Sequence, residues 1–235
     1  MNATLYKWPP TAKFDRVVSK TKFYEHSSIP VTVREKFVSE VQRIRWAYKL
    51  ADKTIHLRGS DAVPEVQVFV IDAKDDDISE AVLAAIDKAI PFPIIFEINS
   101  EASDYAHTRM VAAYKQLGST TTRISTYFAT GWQPADVSRV PLPPAIDLPS
   151  LYAAILTPMI PIETLPSEDL SAATSRIEQA RKIEREIINL EKKLRNEPQL
   201  NRKIELRRRV QERTTALTAL TNPATPTNED APWRS

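Results

Sequence analysis

The chain has no cysteine, only three glycines in 235 residues, and three histidines. Without cysteine there are no disulfides, thiol nucleophiles, thiolate zinc sites or iron–sulfur clusters. Gly59, Gly118 and Gly131 lie far apart, so neither the glycine-rich turn of a dinucleotide fold nor a phosphate-cradling P-loop can be assembled. His26, His56 and His107 form no pair at metal-ligand spacing, and none is given a role. No apolar run approaches the roughly 18 residues of a membrane span, and the first ten residues lack the apolar core of a secretion signal. The expectations are a cytoplasmic protein, no membrane, and no cofactor.

What the chain does have is proline and charge. Its 32 basic residues nearly balance 30 acidic ones. From Met1 to Pro166 the count is 18 basic against 19 acidic, whereas Ser167 to Leu220 holds 13 against 9. A basic excess confined to one segment suits an acidic protein surface as well as a phosphate backbone.

Read for organisation, the chain divides into a mixed domain (1–133), a proline-rich strap (134–166), a helical arm (167–220) and a disordered tail (221–235). Trp8-Pro9-Pro10 opens an extended leader. Behind a Thr32 cap, Phe37, Val41, Ile44 and Tyr48 recur at helical spacing and predict an amphipathic helix over Val33 to Leu50. Glu65 to Asp72 is β-branched and too short for a helix, which predicts a buried strand. A helix capped by Asp77 or Ser79 follows and ends at Pro91, and Ile94 to Ile98 is the next strand, giving a β-α-β unit with parallel pairing. Ala106 to Gln116 and Arg123 to Trp132, around Gly118, predict an antiparallel hairpin. The expected fold class is therefore α+β: a mixed sheet with flanking helices.

Eight of the 18 prolines crowd into the strap, where Leu148 to Leu156 is the one candidate helix. Ser167 with its acidic neighbours marks the start of the arm. Its apolar residues step by threes and fours in a coiled-coil pattern. Ile177, Ile183, Ile187, Leu190 and Leu194, then Ile204, Leu206, Val210 and Leu217, are the candidate interaction residues. Pro198 interrupts the pattern and allows either a kinked helix or a hairpin with Pro198 in the first turn of the second helix. At about 1.5 Å per residue the first half alone would reach roughly 40 Å, more than completing a core requires.

The enzyme-like candidates are Glu65, Glu97 and Lys115, with Gln67, His107 and Lys20 nearby in the strand pattern. Two carboxylates and a lysine converging at a sheet edge could hold magnesium for phosphodiester cleavage. The acid-x-Lys spacing common on nuclease strands is absent, and structural pairing of the same residues explains them more simply. Asp75-Asp76-Asp77 lacks the glycine and terminal glutamate of an EF-hand loop, so helix capping accounts for it. Arg202, Lys203, Arg207, Arg208, Arg209 and Arg213 are candidate phosphate contacts, although Glu205 and Glu212 among them equally suit a solvated face laced with ion pairs.

A series of phrases resembles a family of short bacterial proteins known only as a domain of unknown function. These are Lys20 with Phe23-Tyr24, Ile44 to Leu50 around Trp46, Thr54-Ile55, Glu65-Val66-Gln67-Val68-Phe69, Ala89-Ile90-Pro91, Ile95-Phe96, Tyr114-Lys115 and Trp132. In the arm the matching stretches are Leu190 to Lys193, Glu197, and Gln199 to Leu206. Pro198 stands where the family pattern carries a basic residue, and Arg207 where it carries asparagine. The resemblance implies genes placed beside helicase and DNA-methyltransferase genes in restriction-like phage-defence clusters, and no assigned activity. The expectation is a non-catalytic accessory protein, with a helicase, a methyltransferase or a second copy as partner through the arm. A magnesium-dependent nuclease and a sequence-neutral nucleic-acid binder are the alternatives.

Overall fold

Strand β1 (Tyr6–Lys7) carries Tyr6 and, just beyond it, Trp8 into the interior. Pro9 and Pro10 then turn the chain through one 3-10 turn into β2 (Lys13–Val18). This is a computed structural model, and it describes residues 5–25, 29–100, 106–117, 122–162, 165 and 168–222. His26, the Gly118 turn, the Ser167 cap and the tail beyond residue 222 lie outside them. The chain divides into two compact units, Met1–Pro161 and Ile162–Ser235.

After α1 (Thr21–Glu25), the segment expected as one helix from Val33 to Leu50 is two elements. Helix α2 (Val31–Glu40) gives way at Val41 to a ten-residue strand, β3 (Val41–Leu50). The apolar spacing misleads for a physical reason. Strand β3 pairs with β4 (Val66–Ala73) through two register shifts, at Val41/Arg43 and Trp46/Tyr48. Each bulge inserts a residue into the alternation, so Val41, Ile44, Ala47 and Leu50 are buried at intervals of three, which imitates a helical period. Thr32 is not the cap; Pro30 precedes the first turn of α2.

The short helix α3 (Asp52–Ile55) leads to β4, and α4 (Glu80–Ala89) crosses over to β5 (Ile94–Ser100), parallel to β4 as the β-α-β pattern implies. Strands β6 (His107–Gln116) and β7 (Arg123–Ala129) continue antiparallel. The order is β2-β3-β4-β5-β6-β7, with β8 (Gln133–Pro134) on the end of β6 and β9 (Val140–Pro141) beside β1. The fold class is mixed α+β.

The two faces of the sheet bury different things. Phe69, Ile71, Phe96, Ile98, Val111 and Ala113 alternate onto one face and pack with Phe37 of α2 and Val82, Leu83 and Ile86 of α4. Each of the Val, Leu, Ile and Phe side chains buried there contributes about 1.5–3 kcal/mol. The other face holds Val68, Ile95, Met110, Ala112 and Phe128. It meets the predicted strap helix, α5 (Leu148–Leu156), capped by Asp147 accepting from Ser150 N–H at 2.8 Å. Tyr152 ties α5 to the sheet. Strands β6 and β7 slip register between Ala113 and Lys115, and the Tyr152 hydroxyl donates to Ala113 C=O (2.6 Å) and accepts from Lys115 N–H (3.1 Å) at that slip.

The second unit is an antiparallel helical hairpin, α6 (Leu170–Asn196) and α7 (Leu200–Thr221). Pro198 lies in the connection, just ahead of α7 and outside its first turn. At the open end Arg176 clamps Glu168 (2.7 and 2.8 Å) and donates to Leu220 C=O (2.7 Å), joining start to finish. Arg213 and Glu186 pair farther along at 3.1 Å. Among the described residues no helix is long and apolar enough to cross a membrane.

Candidate functional site

The structure does not bring Glu65, Glu97 and Lys115 together. Glu65, just before β4, is held by Lys49 Nζ at 2.6 Å and by Gln67. Lys115 lies on the helix-covered face, wholly buried, in an ion pair with Asp87 of α4. Its ammonium also donates to the carbonyls of Asp87 (2.6 Å), Ile90 (2.8 Å) and Phe92 (3.0 Å), closing the C-terminal end of α4. Tyr127 hydroxyl donates to the other Asp87 oxygen at 2.9 Å. Burial pushes the Lys115 ammonium down and the Asp87 carboxyl up, each opposed by the charge of the other. Lys20 does similar work, donating to the carbonyls of Phe37 and Val41 at the end of α2. Both ammonium groups thus cap the C-terminal ends of helices. Among the described residues no group of three or more metal-ligating side chains gathers.

Glu97 points to the opposite face, into a polar groove that the sequence reading missed. Two adjoining cavities of about 400 and 470 Å³ lie there, sharing Arg45, Asn99 and Arg139 in their walls. A row of side chains crosses four strands at one register, Arg43↔Asp72↔Asn99↔Thr108. Arg43 Nε donates to Asp72 at 2.7 Å, Asn99 Nδ2 to Asp72 at 2.9 Å, and Thr108 Oγ1 to Asn99 at 2.9 Å. Beside this row, buried Glu97 accepts from Arg139 (2.6 and 3.1 Å) and from Trp8 Nε1 (2.6 Å). Burial works against the Arg139 charge, but the hydrogen bonds and charge of Glu97 outweigh it.

Backbone irregularities aim these groups. The shift at Val41/Arg43 sends Arg43 and Arg45 to the groove face, and the one at Trp46/Tyr48 adds Ala47 and Tyr48. Opposite, β2 slips between Lys13 and Arg16, and Asp15 there adopts a left-handed φ of 54°, uncommon for a residue with a side chain. Asp15 pairs with Lys13 (3.3 Å) and Arg45 (3.1 Å). The Lys13 hydrogen bond, with the Arg45 charge, holds its carboxyl below the usual range. The available signal was polar residues, Asp72 and Asn99, ending two apolar strands that are parallel, where open sheets commonly bind ligands.

On the hairpin, Ile177 is buried at the open end, whereas Ile183, Ile187, Leu190, Leu194, Leu206, Val210 and Leu217 are half-buried between the helices. Ile204, grouped with them in sequence, is 57% exposed and points outward. Of the candidate phosphate contacts, Arg202 and Arg209 line a cleft of about 690 Å³ with Lys192, Lys193, Glu197 and Glu205. Arg208 pairs with Glu212 and Arg213 with Glu186, each at 3.1 Å. Lys203 is half-buried and Arg207 exposed.

A family model described as a domain of unknown function (DUF4391) matches residues 7–217. No curated protein and no solved structure matches the chain.

Proposed function

The chain belongs to the DUF4391 family, a domain of unknown function, and from that premise we propose that it is a non-catalytic accessory protein of a bacterial DNA-processing or phage-defence complex. It works in the cytoplasm and holds a protein partner through the α6–α7 hairpin. The observation that carries this reading is the unfinished packing of the hairpin. None of the 22 residues of α7 is buried, and most of the apolar seam is only half covered. Ile188, Leu200 and Ile204 stand 61%, 69% and 57% exposed. Two helices alone cannot bury their apolar stripes. The basic excess of the same segment favours an acidic helical surface over a second copy, because like charges would face each other. The resemblance to proteins encoded beside helicase and methyltransferase genes points to one of those as the partner.

The test is affinity purification of the full chain from its host, beside a Leu200→Glu/Ile204→Glu variant that alters only exposed positions. A helicase or methyltransferase recovered with the wild type and lost with the variant is expected. Equal recovery with both, or a wild type that only self-associates by light scattering, overturns the reading. The basic cleft of Lys192, Lys193, Arg202 and Arg209 favours a second reading, sequence-neutral binding of a phosphate backbone. A titration showing no binding at low salt disposes of it.

A further inference from the structure

The groove on the sheet face lies outside the proposed role of the hairpin and has the chemistry of a binding site of its own. Every carboxylate oxygen in it is already taken. Asp72 accepts from Arg43 and Asn99, Asp15 from Lys13 and Arg45, and Glu97 from Arg139 and Trp8. A metal cation would have to strip these bonds, so cation binding is disfavoured. The basic side chains outnumber the acids, although Arg43 is held by Asp72, Lys13 by Asp15, and Arg139 by Glu97 and Tyr6 C=O. Lys7, Lys13, Arg43, Arg45 and Arg139 face three acids across the two cavities. Arg45 stands in the wall shared by both cavities; its Nη1 bonds Asp15, and its Nε is shielded and meets no acceptor. A planar guanidinium that is 36% exposed, with only one partly exposed carboxylate beside it, can pair two N–H groups with two oxygens of a tetrahedral anion such as a phosphate ester.

The rest of the wall suits the remainder of such a ligand. Trp8 and Tyr48, ring centroids 6.1 Å apart, form one side of the second cavity, and Gln42, Asn99 and Thr108 supply amide and hydroxyl groups in the first. The two adjoining volumes fall within the range of small-ligand sites. Strand bulges and a left-handed aspartate concentrated around one groove are the usual marks of backbone adapted to function.

We propose that this groove binds the phosphate of a nucleotide on Arg45, flanked by Lys13 and Arg139, with the ring of the nucleotide against Tyr48. The nucleotide is either free or part of a single strand, and the experiment separates the two sources. Full-length protein is titrated calorimetrically at low salt with inorganic phosphate, adenosine monophosphate and a 5′-phosphorylated oligothymidylate. One-to-one binding of the mononucleotide or the oligonucleotide, tighter than that of inorganic phosphate, is expected, and the tighter of the two identifies the source. Arg45→Gln should weaken binding tenfold or more and Arg45→Lys less. Lys13→Gln, at a position 61% exposed, should weaken it severalfold. Lys88→Gln, at an exposed position of α4 outside both the groove and the hairpin cleft, should leave mononucleotide binding unchanged. No binding by either nucleotide probe, binding no tighter than inorganic phosphate, or unchanged affinity in both Arg45→Gln and Lys13→Gln, overturns the proposal.

Discussion

Lys115→Met is the most informative single substitution in the sheet unit. It keeps the length and apolar stem of the side chain and removes only the ammonium. That ammonium neutralises Asp87, with side-chain exposures of 0% and 1% for the pair, and it satisfies three carbonyls at the end of α4. Stripping one partner from a buried pair costs about 3–5 kcal/mol, a large part of the roughly 5–15 kcal/mol that holds an ordinary domain. Urea denaturation followed by tryptophan fluorescence reads the loss, because Trp8, Trp46 and Trp132 all belong to this unit. Adding Asp87→Asn removes the stranded charge and keeps an acceptor for Tyr127, so the double variant should be more stable than Lys115→Met alone. The pH dependence has a definite sign. Burial raises the Asp87 carboxyl, and without lysine the folded state takes up a proton that the unfolded chain does not. The Lys115→Met penalty must therefore shrink as pH falls from neutral toward the ordinary carboxylate range. A penalty below about 1 kcal/mol at neutral pH, or one that grows on acidification, would refute this account.

Tyr152→Phe leaves Ala113 C=O and Lys115 N–H without their shared partner at the β6–β7 slip. It should cost about 1–3 kcal/mol, with faster amide exchange at Lys115; unaltered exchange would contradict the bridge. Glu168 is held below its usual range first by the Arg176 hydrogen bond, then by Leu165 N–H and the Arg176 charge. A depressed carboxyl stabilises above its unfolded value and loses that contribution as pH falls through its folded value, below about 4.3. Helix melting by circular dichroism should show this acid limb in wild type and lack it in Glu168→Gln. His56, with φ of 57° at the end of α3, should accept glycine readily, whereas His56→Val should melt below His56→Gly by at least about 1 kcal/mol.

The parts legible in sequence were those whose apolar pattern, whether a short continuous run or a helical period, matched their structure. Strands β4 and β5 read directly because burial on both faces makes each a short, continuous apolar run too brief for a helix. Helix α4 did so because its buried residues follow the helical period, and the β6–β7 hairpin because two strand-like runs are joined by a short connection. The same holds for Leu148–Leu156, where Asp147 and Pro149 mark a helix start. Strand β3 was not legible because two bulges give its buried residues a spacing of three. The groove was hidden for a related reason. Arg43, Asp72, Asn99 and Thr108 come from four strands, and only their register makes them neighbours. Lys115 was visible as a charged residue in an apolar strand, but its partner Asp87 sits on a helix face that reads as ordinary amphipathic surface.

Chains richer in glycine often finish helices with a left-handed residue at the next position, a closure that needs nothing beyond the local turn. Here Ile90 and Val41, the residues after α4 and α2, are extended, and the terminal carbonyls wait for ammonium groups 17 to 28 residues away in sequence. Neither helix can complete its last turn until a remote segment has docked. Helix completion is thereby tied to sheet assembly, so peptides spanning α2 or α4 alone should fray at their C-termini. The sheet unit should fold as one slow, cooperative step dominated by long-range closure rather than by helices that form first and collide.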